Sequence, residues 1–326
     1  MRVCLIGDFS PNLDEGLKNI AYNLFDNLSQ ITTVDLIKIN IVNVISMHCI
    51  KRIKKFHPDI IHYIPGPTNK SALLIKAIIA YLGYKPKIVL SASYPYFDDI
   101  FFKLIRFKPD YVFSSSSNFK NRLDRLGINS ELLPNGVDTE KFKPVSERSK
   151  NELRYKYKLD KDKITLLHVG HIKSNRNLGI FKRLSHDYQV IIVGSTYIEV
   201  DKKIVNDLLN AGCNLFCGYI PNIEEFYQLS DCYIFPVILG NSILCPLSVM
   251  EAMSCNLSVL TKPFEGIQTF FREGNGLLYL NSEEDFADQI KKVTQISDIN
   301  TRDKVDKYSW KNIADHIVKI YYDLGC

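Results

Sequence analysis

The sequence lacks several patterns that would place it in a common class of protein. It has no run of about 18 uncharged apolar residues, which a membrane-spanning helix needs, because its longest candidate, 72–84, contains Lys76. It has no G-x-G-x-x-G, no P-loop and no Ser-His-Asp spacing, which argues against a dehydrogenase-type cofactor site or a triad hydrolase. It also has no carboxylate-rich cluster and no Cys-x-x-Cys pair, so we expect no metal site. The N-terminal apolar run is short and Asp8 follows it, so we expect no signal peptide and a cytoplasmic protein.

The composition is that of a globular protein of about two domains. The 326 residues are 46% apolar and 24% charged, and the 8 cysteines lie mostly in apolar runs, as buried reduced thiols do. The net charge of +5 is too small for a dedicated nucleic-acid-binding protein. The charge is uneven, however, since residues 1–145 hold 19 basic and 13 acidic side chains. This excess fits either a lysine-rich solvated surface or a surface that attracts phosphates or an anionic membrane.

Short apolar segments alternate with segments of helical periodicity along the whole chain. The segment 16–30, for example, has the spacing of a helix with one apolar face. A polar, charged stretch at 141–163 interrupts the alternation, which then restarts with a strand at 164–169. Strands that are apolar throughout and alternate with helices form parallel sheets covered on both faces. We therefore predict two doubly wound α/β domains, 1–145 and 146–306, with ligands in the cleft between them.

The loop after the first strand of the second domain contains the best candidate anion site. The residues from Gly170 to Asn177 include three groups that can be cationic, namely His171, Lys173 and Arg176. Loops between a strand and a helix bind phosphates in this class of fold, and a guanidinium can hold a phosphate through two hydrogen bonds. We therefore predict that Arg176 clamps a phosphate and that Lys173 adds a point charge. The alternative is a solvated basic loop.

Three further positions are candidates on weaker local evidence. Gly16 opens the first helix, where free amides can bind an anion. Glu251 lies in an apolar helix, where a buried carboxylate needs hydrogen-bond donors such as a ribose diol. His62 ends a strand and is predicted to face the cleft as a catalytic residue. Each has an ordinary alternative: a helix-start glycine, a salt-bridged glutamate and a structural histidine.

Five segments, by their order and spacing, resemble those of the retaining glycosyltransferases of family 4, which have the two-domain GT-B fold. The segments that carry the resemblance are LPNGVDTEKFKP at 133–144, FCGYIP at 216–221, PLSVMEAMSC at 246–255, GNGLLY at 274–279 and YSW at 308–310. The resemblance covers nearly the whole chain. It implies two Rossmann-like domains that face each other across a cleft, with the donor in the second domain and the acceptor mainly in the first. It also implies that the last helix, 307–326, returns to the first domain.

The resemblance also implies an activity. Such enzymes transfer a sugar from a nucleotide-sugar donor to an acceptor hydroxyl and keep the anomeric configuration. They hold the diphosphate with basic side chains and helix N-termini instead of a metal. The expected partners are thus a nucleotide-sugar donor and a glycan or lipid-linked acceptor, with no cofactor and no nucleic acid. The basic first domain adds peripheral contact with an anionic membrane to these expectations.

The site residues of the family carry over unevenly. The family's phosphate-binding lysine falls on Arg176, its arginine on His171, and its ribose-binding glutamate on Glu251. The other glutamate of that motif falls on Ile243, which cannot bind a sugar hydroxyl, so we expect altered sugar recognition. The remaining donor-binding positions that we predict are Gly16, Gly170, Gly194, Tyr219, Ile220 and Ser248.

The departure at Ile243 leaves rival functions open. One is a degenerate transferase that binds a nucleotide or a partner without turnover, which tight nucleotide binding without sugar release would indicate. Another is a different GT-B enzyme, a nucleotide-sugar epimerase or a phosphorylase. Donor conversion without an acceptor would indicate the epimerase, and pyridoxal phosphate absorbance the phosphorylase. The nucleotide-binding positions are kept, so we expect an active transferase.

Overall fold

The chain forms two compact units, Met1–Gly136 with Trp310–Cys326, and Val137–Ser309. Each unit contains a six-stranded parallel sheet with helices between the strands, which confirms the predicted α/β class with two Rossmann-like domains. Among the described residues, no helix is long and apolar enough to cross a bilayer. The structure is a computed structural model that describes residues 1–93, 96–195, 200–238, 244–294 and 298–325.

Strands and helices alternate in the first unit from its first residues onward. Its strands are β1 (Arg2–Gly7), β2 (Asp35–Asn40), β3 (Ile60–Tyr63), β4 (Lys87–Ala92), β5 (Tyr111–Ser114) and β6 (Ser130–Leu132). Its first helices are α1 (Gly16–Ser29), α2 (Met47–Phe56), α3 (Asn69–Leu82), α4 (Asp99–Leu104) and α5 (Ser117–Arg125), with a 3-10 turn at Ile41–Asn43. The strand order is β2-β1-β3-β4-β5-β6. Every residue of β3 is buried, as expected for a parallel strand covered on both faces.

The second unit repeats this arrangement. Its strands are β7 (Thr165–His171), β8 (Gln189–Ser195), β9 (Asn214–Cys217), β10 (Cys232–Phe235), β11 (Ser258–Thr261) and β12 (Leu277–Tyr279). Its helices are α6 (Glu147–Lys156), α7 (Ile180–Leu184), α8 (Lys202–Asn210), α9 (Glu224–Leu229), α10 (Leu247–Ser254), α11 (Glu265–Phe270), α12 (Glu283–Val293) and α13 (Arg302–Val305). Two 3-10 turns lie at Ser174–Arg176 and Asp306–Tyr308. The strand order is β12-β11-β10-β7-β8-β9, and apolar clusters cover both faces of the sheet.

The last helix, α14 (Trp310–Asp323), belongs to the first unit. It packs against α1 through one apolar face. The buried residues of α14 recur every three or four positions: Trp310, Ile313, Ala314, Ile317, Val318 and Tyr321. Gly136 lies so close to this helix that a Cβ there would meet the Trp310 ring at 2.5 Å. This contact explains a glycine in the LPNGVD segment.

The polar stretch at 141–163 differs from the prediction. We expected this stretch to interrupt the alternation of strands and helices, and the structure contains the helix α6 within it. The buried side chain that anchors α6 is Arg154, which donates to the carbonyls of Leu229 and Lys161 at 2.9 and 2.8 Å and to Asp231 at 2.6 Å. The division between the units falls after Gly136, because Val137 is buried in the core of the second unit.

Candidate active site

The carboxyl ends of β7 and β10 diverge in the second sheet. The chain leaves β7 toward β8 and β9 and later returns to the other side of β7 with β10, so the strand order reverses between β7 and β10. The register between these two strands pairs only Cys232 with Leu166 and Tyr233 with Leu167, whereas β7 pairs with β8 along its whole length. Ligands of doubly wound sheets bind at such a reversal point. The loops after β7 and β10 are therefore where we expect a ligand.

Arg176, in the loop after β7, provides a guanidinium whose donors are incompletely paired. Lys173 precedes the 3-10 turn, which ends at Asn177 in the left-handed region with a φ of 55°. The Arg176 side chain is half-buried, and its buried Nε has no hydrogen-bond partner among the described residues. Burial lowers the pKa of this guanidinium, against an opposite effect of Tyr233. A buried donor without an acceptor costs about 1–3 kcal/mol, so an anionic ligand is a favourable partner here.

Glu251, on α10, has one carboxylate oxygen paired inside the protein. The Tyr227 hydroxyl donates to Glu251 Oε2 at 2.7 Å. Burial raises the pKa of Glu251 to about 7, although the Tyr227 hydrogen bond and the charge of Lys141 act in the opposite direction. The side chain is half-buried and not enclosed, so a ligand can approach it.

Tyr233, on β10, connects these two groups. Its hydroxyl donates to the Val169 carbonyl at 3.2 Å and is hydrogen-bonded with Ser248. The charge of Glu251 raises the pKa of this hydroxyl and that of Arg176 lowers it, so both groups are nearby. The structure therefore brings together Arg176, Ser248 and Glu251, which we selected from the sequence.

Tyr227 and Tyr233 were missed at the sequence level. Both lie in apolar segments, one in a helix and one in a strand, where an aromatic residue predicts only core packing. The available signal is chemical: a buried tyrosine hydroxyl needs a partner. Sequence alone does not say which partner that is.

The other predicted donor-binding residues lie at the carboxyl ends of neighbouring strands. Gly170 and His171 end β7, and Gly194 is the penultimate residue of β8. A Cβ at Gly194 would meet Ile172 Cδ1 at 2.5 Å, so packing alone requires a glycine there. After β9, Tyr219 is exposed and Ile220 packs against the apolar core. Their contacts with a donor remain predictions.

Gly16 begins α1 as predicted, but the anion site expected there is occupied by the chain itself. The carboxylate of Glu15 caps the helix and accepts from the Leu17 amide at 2.6 Å. It also accepts from the backbone of Lys18. The free amides that we assigned to a diphosphate are therefore already paired with a carboxylate.

The predicted catalytic position of His62 is wrong. The ring is 0% exposed, and burial lowers its pKa to about 3. Nδ1 is hydrogen-bonded with the Tyr321 hydroxyl of α14, and Nε2 with Ser91 Oγ at 2.8 Å. Sequence analysis placed His62 at an open strand end because it could not show that Tyr321 covers the ring. His62 is a structural residue that ties α14 to β3.

Two of the expectations concern metal binding and sugar recognition. Within the residues that the structure describes, no three His, Cys, Asp or Glu side chains are grouped so as to hold a metal ion. Ile243 lies outside the described residues. Altered sugar recognition therefore remains a prediction.

Sequence comparisons identify a family whose model matches the second unit. The model of a family described as "Glycosyl transferases group 1" matches residues 149–312, which include nearly all of the second unit. An uncharacterised glycosyltransferase of Methanocaldococcus jannaschii is 26% identical over 250 residues, covering 69% of this chain and 62% of that protein. The chain thus spans less than two thirds of the length of this curated relative.

Solved structures share the fold over the full chain. A glycosyltransferase from Rickettsia africae ESF-5 has a TM-score of 0.78 at 16% identity, covering 99% of this chain and 98% of that chain. Anabaena HepE, in complex with UDP and glucose, has a TM-score of 0.70 at 13% identity, covering 99% and 100%. At these identities the likeness establishes the fold, and it agrees with the two-domain α/β architecture.

Proposed function

Because the chain belongs to the glycosyl transferases group 1 family, we propose that it is a retaining glycosyltransferase that moves a sugar from a nucleotide-sugar donor to a hydroxyl acceptor without a metal ion or cofactor. The observation that carries the proposal is the Arg176 guanidinium, half-buried at the reversal point of the second sheet, whose Nε has no partner in the described part of the chain. A nucleoside diphosphate is the kind of anion that such a group binds. The complex of Anabaena HepE with UDP supports UDP-sugars as the first donors to test.

Arg176 and Lys173 are the proposed catalytic residues. When the anomeric C–O bond of the donor breaks, negative charge grows on the leaving diphosphate while the sugar becomes oxocarbenium-like. A fixed guanidinium and an ammonium group stabilise that charge. Partial burial strengthens the effect, because the effective dielectric constant is lower than that of water.

Glu251 is the proposed ribose ligand. An ionised carboxylate accepts hydrogen bonds at both oxygens, so it can bind two vicinal hydroxyls. The Tyr227 hydroxyl fixes Oε2 of this carboxylate. The other residues proposed to border the donor are Gly170, His171, Gly194, Tyr219, Ile220 and Ser248.

The acceptor step proceeds on the face of the sugar that the diphosphate leaves. The acceptor oxygen forms the new C–O bond, and its proton passes to the departing phosphate oxygen. The products are the glycosylated acceptor with retained configuration and the nucleoside diphosphate. No protein base is required, which is compatible with the buried, fully paired ring of His62.

We also propose that the acceptor is a lipid-linked glycan at the cytoplasmic face of an anionic membrane. The supporting feature is a surface of α2, α3 and α4, here called the basic apolar face. Residues 41–108 contain 11 Lys and Arg against 3 Asp and Glu. The same segment has eight exposed large apolar side chains: Val42, Ile45, Met47, Leu73, Tyr81, Tyr96, Ile100 and Leu104.

The three helices of the basic apolar face are in contact. The Tyr81 hydroxyl of α3 lies 3.7 Å from Met47 Sδ of α2, and Lys76 of α3 donates to the Ile105 carbonyl after α4. Of the 11 cations, Lys87 is the one with a carboxylate ion pair among the described residues. Each basic side chain near an anionic bilayer contributes about 1 kcal/mol of binding, and apolar side chains add to it.

Vesicle co-sedimentation tests the membrane proposal. The protein should bind phosphatidylglycerol vesicles at low salt, bind phosphatidylcholine vesicles weakly, and dissociate at high salt. Replacing Ile100 and Leu104 with serine should weaken binding at least about tenfold, because each buried aliphatic side chain is worth about 1.5–3 kcal/mol. Leu209→Ser, at an exposed leucine of the second unit, is the control. Equal binding to both vesicle types contradicts the proposal, and concentration-dependent self-association would assign this face to a second copy.

Nucleotide binding and sugar transfer test the main proposal. UDP at about 100 times its dissociation constant should add about 2.7 kcal/mol to the free energy of unfolding, which is a rise in Tm of about 5–10 °C. Arg176→Ala should raise the donor KM and lower kcat. Arg148→Ala, at a 90% exposed arginine of the same unit, should change neither. Retention is read from the anomeric coupling constant of the product by NMR. Binding without transfer to any acceptor would indicate a degenerate module instead.

A further inference from the structure

His168 lies where β7 and β10 diverge, and its ring bridges the two strands. The last pair of that register is Leu167 with Tyr233, so the next carbonyl of β10, that of Ile234, needs another donor. His168 Nδ1 is 2.9 Å from this carbonyl oxygen. Because a carbonyl only accepts, Nδ1 carries the proton, and Nε2 of the neutral ring has a free lone pair.

The Nε2 atom of His168 is directed along β7 toward the loop after this strand, which contains Arg176. A Cβ at Gly170 would lie 3.2 Å from this atom. The ring is 0% exposed and packs against the rings of Phe181 and Phe235, with centroids 5.6 and 5.9 Å away. Nε2 is buried, and within the described part of the chain it has no hydrogen-bond partner. A buried acceptor is thus left open beneath the loop.

Arg176 supplies the complementary atom. Its Nε is a donor that is equally buried and unpaired among the described residues. The two side chains are close enough for the charge of Arg176 to disfavour protonation of His168, in addition to the larger effect of burial. Among the described residues, an unpaired acceptor on β7 and an unpaired donor in the loop after β7 therefore lie near enough to interact electrostatically.

We propose that His168 is a positioning residue for Arg176: Nε2 of His168 accepts a hydrogen bond from Nε–H of Arg176 in the nucleotide-bound protein. The bond occupies the buried Nε donor of the guanidinium, and it leaves the two terminal nitrogens for the diphosphate. It also fixes the plane of the guanidinium, which a bidentate contact with phosphate requires. This inference rests on the proposed function, because it assumes that Arg176 binds the diphosphate.

Two substitutions separate the two nitrogens of His168. Asparagine keeps a donor near the position of Nδ1 and has no atom at Nε2. Glutamine places a polar atom near Nε2 and loses the donor to the Ile234 carbonyl. If His168 positions Arg176, His168→Asn should weaken UDP binding about tenfold at nearly unchanged Tm. His168→Gln should lower Tm and leave UDP affinity within about threefold of the parent protein. If His168 has only a structural role, the variant that lowers Tm more should also weaken UDP binding more.

A double-mutant cycle with Arg176→Lys provides the decisive measurement by calorimetry with UDP. Lysine keeps the charge and removes the Nε donor, so His168→Asn should cost less than about twofold in that background. His186→Asn, at an exposed histidine, is the control. If His168→Asn behaves like His186→Asn, or costs the same in both backgrounds, the inference is overturned. If Arg176→Ala leaves UDP affinity unchanged, the proposed role of Arg176 fails instead.

Discussion

The pH dependence of donor binding is a direct consequence of the environment of Glu251. Burial raises the pKa of this carboxyl to about 7, so it is mainly ionised at pH 8 and mainly protonated at pH 6. Ribose hydroxyls and Tyr227 both donate to it in the proposed complex, and only the ionised form accepts from all of them. The ionised fraction falls from about 10/11 to about 1/11 between these pH values. The affinity for UDP-glucose should therefore fall about tenfold as the pH is lowered from 8 to 6.

Calorimetric titration with UDP-glucose between pH 6 and 8.5 measures this dependence, because the diphosphate diester does not titrate in that range. Glu251→Gln should bind about five- to tenfold more weakly at pH 8, since a neutral acceptor replaces a charged one, and its affinity should not change with pH. Tyr227→Phe removes a hydrogen bond that stabilises the ionised form. It should therefore move the midpoint upward by about one pH unit.

The matched control for Tyr227→Phe is Tyr157→Phe. Tyr157 donates to Glu225 Oε2 at 2.6 Å in the same unit, so its replacement removes the same kind of bond from another glutamate. The midpoint should stay near pH 7 in this variant. The reasoning is refuted if the affinity of the parent protein is constant over the range, or if the slope persists in Glu251→Gln. A persisting slope would assign the titration to another group of the donor site.

Three further predictions concern the first unit and the buried histidines. Tyr321→Phe leaves His62 Nδ1 buried without its partner, so it should lower the free energy of unfolding by about 1–3 kcal/mol, or Tm by about 2–10 °C. The control is Tyr322→Phe at the exposed neighbouring position, which should change neither quantity. Glu15→Ser keeps a helix cap and removes its negative charge. If the start of α1 binds the diphosphate, the affinity for UDP should therefore rise about two- to fivefold. An unchanged affinity would show that this helix is not part of the donor site. The folded chain holds the pKa of His62 at about 3 and of His168 at about 4, while both take up protons near pH 6.5 when unfolded. Their contribution to stability is complete above about pH 6.5 and is lost as the pH falls toward these values. Urea unfolding measures this loss. On acidification, the free energy of unfolding of His62→Gln should fall less than that of the parent protein.

The sequence predicts the fold well because strand burial and helix periodicity are local properties. Every residue of β3 and β10 is buried, and these segments are apolar in the sequence. The helix α1 was predicted at 16–30 from the spacing of its apolar residues, and it lies at Gly16–Ser29. The prediction failed at α6, whose sequence is highly charged. Sequence analysis recognises a helix by the periodic apolar residues of its buried face. It did not recognise α6, because the hydrogen bonds of Arg154 anchor this helix.

The candidate site is less predictable, because it depends on which partners are near in space. Glu15 is an ordinary residue before a helix, and its sequence position does not show that its carboxylate takes the amides of Leu17 and Lys18. Similarly, nothing local to Glu251 identifies Tyr227, 24 positions away, as its donor. Position at a strand end was enough to select Arg176. Only the structure distinguishes the Arg176 loop from the start of α1, where the carboxylate of Glu15 already occupies the expected anion site.

Completeness of hydrogen bonding separates the residues that we propose to be functional from structural residues of the same type in this protein. Arg154 and Arg176 are both buried to a large extent in the second unit, but the donors of Arg154 reach two carbonyls and a carboxylate, whereas Nε of Arg176 has no partner among the described residues. His62 and His168 are both neutral and enclosed. Both nitrogens of His62 are paired, whereas Nε2 of His168 has no partner within the residues that the structure describes. Burial and charge alone would not distinguish the two arginines from each other, or the two histidines. An unpaired buried group costs stability, so its persistence next to the loop after β7 is best explained by a ligand-bound state in which the partner is supplied.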